Sequence, residues 1–424
     1  ERAASHPWSL EQLLATSYSY YVGLLEAERA AGGPFDIIEF PDFGGWGFAS
    51  VEAKRAGLAF AKTVLSARLH STRGMIIRAE KYEYPSIWNG IVCDAERHLL
   101  AHADLVVGHV QSIIEANAEH YQLSERWRGR SHLEFPPIMI ERHELVETTR
   151  HDTVGEDTDF IFSSRLQRFK RPDIFVRAAI AFLEKHPRHR GTFRLVSYGW
   201  DKDYIAWMQS LVPPAMADRI VFVLDATPEH RAELLGRSVV VIPSDYESLC
   251  LFAFEAAQVG CKVILNRVCQ AFGANPRWRE GRNCLMFDGS VADLVQVMQD
   301  SIGWRPVEGV DTAADAPYWL KPEVLAARAE PAMDGARASL SVVCLASETF
   351  SELEEQFARA VFLERVLDLG SGRDEIVFLL PGARFEPDGA MARRIRARGW
   401  GLQFTSGHEE CPEMLRARLT ALDR

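Results

Sequence analysis

The chain has no long apolar run. No stretch of 18 hydrophobic residues occurs in its 424 positions, and the opening ERAASHPW carries neither the basic nor the apolar part of a secretory leader. A membrane-spanning protein is therefore not expected, and the reading is a soluble protein of the cytoplasm, with peripheral attachment to the inner face of the membrane as the variant left open. An initiator Met is also lacking, as in a fragment or a processed form. Positive charge is scarce: 48 Lys and Arg stand against 59 Asp and Glu, a formal charge of −11. General nucleic-acid binding is thus excluded, because a polyanion needs a basic field. The seven cysteines form no CxxC pair, and several sit in apolar runs. Neither a structural zinc nor a disulfide framework is expected of them. Internal repeats and low-complexity tracts are missing as well.

What is present is regular alternation. Candidate strands at 159–165, 193–199, 219–225, 239–244, 262–266 and 284–287 are separated by helical segments, among them DIFVRAAIAFLEKH, DYIAWMQSLV, PEHRAELLG and SVADLVQVMQDSI. Strand and helix at this pitch predict a parallel, doubly wound α/β sheet. The first 150 residues repeat the pattern less completely, with strands at 35–40, 64–70, 103–110 and 132–138 and helices around 9–31, 50–62, 91–102 and 111–121. Residues 304–338 read as linker with one short helix. A small α/β unit follows, with strands at 340–346, 375–380 and 401–406 and helices at 387–399 and 411–422. The predicted domains are thus 1–150, 151–303 and 339–424.

The richest stretch is VVVIPSDYESLCLFAFEAAQVG, residues 239–260. A β-branched run meets a loop at Pro243-Ser244 and then turns helical, with Leu251, Phe254, Ala257 and Gln258 at one-face spacing. Glu247 falls in the loop at the strand's carboxyl end and Glu255 about two turns along the helix. Ligands of open α/β sheets bind at that edge. An ionised carboxylate accepts several hydroxyl hydrogens, so the pair suits a hydroxyl-rich ligand; two solvated acids are the plainer alternative. Upstream, Arg165, Arg168, Lys170 and Arg171 crowd a second strand end. They read as an anion site or as a solvated basic turn. Gly44, Gly45 and Gly47 after the first strand read as a phosphate- or sugar-approaching loop or as an ordinary turn.

In this order the pieces resemble the retaining GT-B glycosyltransferases of glycosyltransferase family 4, over about residues 30–303. That family shows an Arg and a Lys five apart after the first strand of its second half, then a PS…E loop and a second Glu eight residues on. Here those are Arg165 and Lys170, Pro243-Ser244, Glu247 and Glu255. The resemblance implies two Rossmann-like domains, the N-terminal one incomplete. It implies that Arg165 and Lys170 hold the diphosphate of a UDP- or GDP-sugar donor, that Glu247 faces the sugar hydroxyls and that Glu255 binds the ribose. Backbone of Ser248, Leu249, Cys250 and Leu251 would contact sugar and phosphate, and His70 at a strand end would contact the donor sugar. No cofactor or metal is implied. The acceptor class (saccharide, lipid carrier or protein) stays open. The family's opening strand, Gly-rich loop and helix are not found before residue 35, so either a partner chain, upstream sequence or the tail is expected to cover the first sheet's edge. Ser248 replaces the usual Gly after the first Glu, Cys250-Leu251 stands where a Gly-Leu-Pro run is common, and Ser164 replaces Gly before Arg165. The tail resembles the start of a GT-A family 2 glycosyltransferase without its metal-binding DxD; completion of the first sheet is the alternative. A nucleotide-sugar 2-epimerase and a non-catalytic nucleotide-sugar-binding subunit are the rival functions.

Overall fold

A computed structural model describes residues 10–81, 87–138, 157–197, 202–224, 226–227, 233–235 and 238–327, together with the backbone of four strands beyond them. The chain divides into two compact units. One comprises Glu1–Ala67, Pro85–Asp104 and Pro322–Arg424; the other comprises Arg68–Tyr84 and Leu105–Lys321.

In unit one, α1 (Leu10–Ala31), β1 (Ile37–Pro41), α2 (Phe48–Arg55), most of β2 (Val64–Arg68) and α4 (Ile87–His102) follow the expected order. The glycine cluster serves packing here. Gly44 and Gly45 take φ of 74° and 61° in a 3-10 turn. A Cβ on Gly45 would stand 2.6 Å from that of Ala95 on α4. Glu96, fully buried on α4, accepts the Gly44 N–H at 2.8 Å. Asp104 accepts from Lys54 at 2.5 Å and from the Leu65 N–H at 2.7 Å, fixing the end of α4 to β2. Of the two readings of this cluster, the turn is the one these contacts explain.

The tail makes a sheet of its own. β11 (Leu340–Leu345) pairs in parallel with β13 (Asp374–Pro381) and β14 (Leu402–Ser406), and β12 (Leu363–Asp368) pairs antiparallel to β13. Completion of the first sheet by 401–406 is therefore not seen: β14 is hydrogen-bonded to β11. The helices expected at 387–399 and 411–422 lie outside the described residues, as does 228–236 apart from 233–235.

Unit two begins where β2 ends. After Arg68, the Leu69 N–H donates to Val107 on β3 (Leu105–Gly108), and β3 pairs in parallel with β4 (Ser131–Leu133). The sequence pattern did not signal α3 (Arg73–Glu80), which is capped by Thr72 accepting the Met75 N–H at 3.2 Å. Between β3 and β4 lie α5 (Gln111–His120) and α6 (Glu125–Arg128).

The main sheet of unit two contains β5 (Asp159–Ser163), β6 (Phe193–Val196), β7 (Ile220–Val223), β8 (Ser238–Ile242), β9 (Val263–Asn266) and β10 (Leu285–Phe287), in the spatial order β10-β9-β8-β5-β6-β7. All of its pairings are parallel. The central β8 is buried along its whole length, as a strand covered on both faces must be. Helix α7 (Pro172–Lys185) lays Phe175, Ala178, Ala179 and Phe182 against Phe160 and Phe193, and α10 (Val291–Gly303) packs beside it. Residues 304–321, linker-like in composition, are bonded into this unit: Asp315 accepts the Phe135 N–H at 2.8 Å, and the buried Tyr318 donates its N–H to Glu134 at 2.6 Å.

His189 borders the Phe160, Phe182 and Phe193 rings and is nearly inaccessible, with Nε2 unpartnered. Burial first, then the Arg219 charge, holds its pKa below the ordinary value. A lowered pKa means that the unfolded chain takes up the proton first as pH falls. The stability this imidazole provides is present above about 6.5 and lost below it. The melting temperature is expected to drop between about pH 7 and 5, and His189→Gln to flatten that drop. An unchanged pH slope in the variant would exclude His189 as its source.

Candidate active site

The sheet order explains why two distant loops meet. From β5 the chain proceeds outward through β6 and β7, then returns to place β8 on the other side of β5. Asp159, Phe160 and Ile161 of β5 face Ser238, Val239 and Val240 of β8. Their carboxyl ends border the crevice where strand order reverses, which is where open α/β sheets bind ligands.

The β5 loop carries the basic residues into a 3-10 turn, Arg168–Lys170, and Arg171 takes φ 53° before Pro172 opens α7. The β8 loop, Pro243–Cys250, returns alongside it. Lys170 Nζ donates to Glu247 Oε2 at 2.6 Å, while Ser244 Oγ donates to Glu247 Oε1 at 2.7 Å. Arg171 reaches Asp245 at 2.9 Å, and the Asp245 N–H donates to the Phe169 carbonyl at 2.8 Å. Beneath them the buried Asn266, at the end of β9, donates to the carbonyls of Pro243 and Ser244, both at 3.2 Å. Asn266 was not singled out in the sequence, although a polar residue closing the run Val-Ile-Leu-Asn is a usable signal of a strand-end anchor.

Of the two readings of this basic stretch, the solvated turn does not describe Lys170 and Arg171. Arg165 and Arg168 are exposed, and neither guanidinium makes a hydrogen bond or ion pair among the described residues; Arg168 lies over the Tyr204 ring. Lys170 is inside, its side chain 15% exposed beside a Glu247 side chain at 6%. Burial alone would lower the Lys170 pKa, but the Glu247 carboxylate overrides it and the ammonium is held above its usual value. Each partner keeps bonding capacity: an ammonium has three hydrogens, and a carboxylate has about four lone-pair positions.

Helix α9 starts at Leu251 and runs to Gln258, later than the sequence pattern suggested, so Glu255 stands little more than one turn in. Its buried face is Ala253, Phe254 and Ala256, whereas Leu251 is 49% exposed and Gln258 also faces solvent. The shift follows from Cys250, which takes φ 62° and cannot be a helical residue. That left-handed conformation costs an L-residue about 1–2 kcal/mol and suits glycine. It accounts for the common glycine at this place in the resembling family. Burial, followed by Glu247, raises the Cys250 thiol well above its normal pKa, so it stays protonated. Ser248, Leu249 and Cys250 thus form the turn that delivers the chain to the helix N-terminus at Leu251, where backbone N–H groups lack intrahelical partners.

His70 lies just past β2 and ahead of α3. It is exposed, with Nδ1 3.3 Å from the Arg68 carbonyl and its ring edge-on to His109 at 5.3 Å. His109 is buried against the Glu134 carbonyl, and Glu134 also binds Arg68 at 2.8 Å. Lys170, Ser244 and Glu247 are thus in direct contact, Arg165 shares the β5 loop, Glu255 follows on α9, and His70 belongs to the same unit, in the segment Arg68–Tyr84 that carries α3.

Residues 157–302 match the family described as glycosyl transferases group 1. The chain is 35% identical over 135 residues to a D-inositol 3-phosphate glycosyltransferase of Acidothermus cellulolyticus, covering 30% of this chain and 30% of that protein. A protein of the same name from Thermobifida fusca is 30% identical over 172 residues, or 38% of this chain and 39% of its own. The chain thus matches well under half the length of these relatives. Among solved structures, sucrose-phosphate synthase from Thermosynechococcus elongatus superposes with a TM-score of 0.50 at 20% identity, covering 70% of this chain and 72% of that one. The N-terminal domain of Candida albicans trehalose-6-phosphate phosphatase gives 0.52 at 11%, covering 75% and 69%. At such identities the likeness is one of fold, and that fold is the GT-B type of α/β architecture. No helix among the described residues is long and apolar enough to cross a membrane.

Proposed function

We propose that the protein transfers a sugar from a nucleotide diphosphate sugar to an acceptor, with retention at the anomeric carbon and without a metal, in the manner of glycosyltransferase family 4. The observation that carries this reading is the buried Lys170–Glu247 ion pair at the sheet's switch point, on the same β5 loop as the exposed Arg165. Departure of a diphosphate builds negative charge on the leaving oxygen. Arg165 and the remaining hydrogens of Lys170 supply preorganised positive charge there. Glu247, fixed by Ser244 and Lys170, offers its free lone pairs to sugar hydroxyls. Glu255 takes the ribose, the Ser248–Leu251 backbone contacts sugar and phosphate, and His70 contacts the donor sugar from its own loop. The acceptor attacks on the face the diphosphate leaves, and the departing phosphate oxygen takes the acceptor proton. No general base of the protein is then needed.

Thermal shift with a panel of UDP- and GDP-sugars tests the donor. A true donor at 100 times its dissociation constant stabilises the fold by about 2.7 kcal/mol. Absence of any shift across both bases would overturn the reading. The two acids should separate: Glu255→Gln weakens free UDP or GDP, and Glu247→Gln weakens mainly the intact sugar nucleotide. Equal losses on the free nucleotide would contradict these assignments. Turnover of donor without any acceptor would point to the epimerase, and binding with neither transfer nor hydrolysis to the non-catalytic subunit.

A further inference from the structure

A second feature of unit two lies outside the Lys170–Glu247 pair. A cleft of about 780 Å³ opens between the end of α3, the start of α7 and α8 (Lys202–Ser210). Its size falls in the range of small-molecule sites. On α8, Tyr204 and Trp207 stack with ring centroids 5.5 Å apart and planes inclined by only 12°. Arg168 lies over the Tyr204 ring at 5.6 Å and Arg177 over Trp207 at 6.0 Å. Trp207 is nevertheless 41% exposed, an unusual position for so large an apolar surface unless something covers it.

The polar lining narrows the chemistry. Glu80, Asp173, Asp203 and Asp245 contribute carboxyl groups. The basic lining residues are Lys81, Arg168 and Arg171, and Arg171 is already bonded to both Asp173 and Asp245. Such a cleft does not favour an anion. It offers donors and acceptors side by side along a flat aromatic wall. Glu80 is buried and accepts the Arg168 N–H at 3.1 Å, and the Tyr204 hydroxyl, its pKa raised by burial, remains a donor. A pyranose matches this combination: its C–H face packs on an aromatic ring while its hydroxyls both donate and accept.

We propose that this cleft binds a neutral saccharide through the Tyr204–Trp207 stack and the carboxylates around it, at a site that borders the loops of Lys170 and Glu247 but is lined by neither residue. The assignment does not depend on the proposed transfer reaction.

Saturation-transfer NMR on the full chain with glucose, mannose, maltotriose and cellotriose tests it, alongside UDP and inorganic phosphate as further probes. At least one neutral saccharide should receive saturation, and Trp207→Ala should weaken that binding about tenfold, the worth of one aromatic stack. Because Trp207 is exposed, the variant should melt with the parent and keep the parent's response to UDP. Should it fail to fold, Asp203→Asn replaces it with the same expected loss. The proposal is overturned if no neutral saccharide receives saturation, if Trp207→Ala leaves the transfer unchanged, or if phosphate alone binds in a Trp207-dependent way.

Discussion

Lys170→Ala should lower sugar transfer by about 100- to 1000-fold and destabilise the fold as well. The rate loss is that of one preorganised charge donor removed from a leaving group, about 3–4 kcal/mol. The stability loss comes from Glu247, which would remain as a buried carboxylate with Ser244 as its one side-chain partner among the described residues. Breaking one side of a buried pair costs about 3–5 kcal/mol. The two effects can be separated. Lys170→Ala combined with Glu247→Gln should regain most of the stability, because no uncompensated charge is left, and none of the rate. Arg165→Ala provides the contrast: its guanidinium is exposed and makes no ion pair among the described residues, so turnover should fall with the melt unchanged. Urea melts and kcat/KM on the four proteins decide the matter. A Lys170→Ala enzyme at near-parental rate would remove this lysine from the chemistry.

Phe254→Ala should be the costliest single truncation near the site. The ring is fully buried on α9, 5.0 Å from Phe135 and 4.6 Å from Trp278 between centroids. Loss of a packed Phe costs about 3–5 kcal/mol, the lost transfer energy plus the cavity. Functional damage follows because this ring seats the helix that presents Leu251 and Glu255. Donor affinity should therefore fall together with stability, although Phe254 makes no contact with donor in the proposed arrangement. Denaturant melts together with UDP titration measure both. A destabilised variant that binds UDP as tightly as the parent would show that the loop is held by its own hydrogen bonds and not by the helix.

The alternation of apolar strands with amphipathic helices was sufficient to place all six strands of the main sheet to within a few residues, because burial on both faces of a parallel sheet leaves long β-branched runs. The same strand ends located Arg165, Lys170, Glu247 and Glu255. Local spacing did not reveal α3, whose helix lacks a clear apolar stripe, nor the late start of α9, which depends on one residue, Cys250, being held in a left-handed conformation. It read four neighbouring cations as equivalent. Tertiary structure separated them, because the return of the chain to β8 brings Asp245 and Glu247 against Arg171 and Lys170 and leaves Arg165 in solvent. It also brought Glu80 of α3 and Tyr204 and Trp207 of α8 to one cleft. Residues more than a hundred positions apart share no periodicity, so only the folded sheet could make them neighbours.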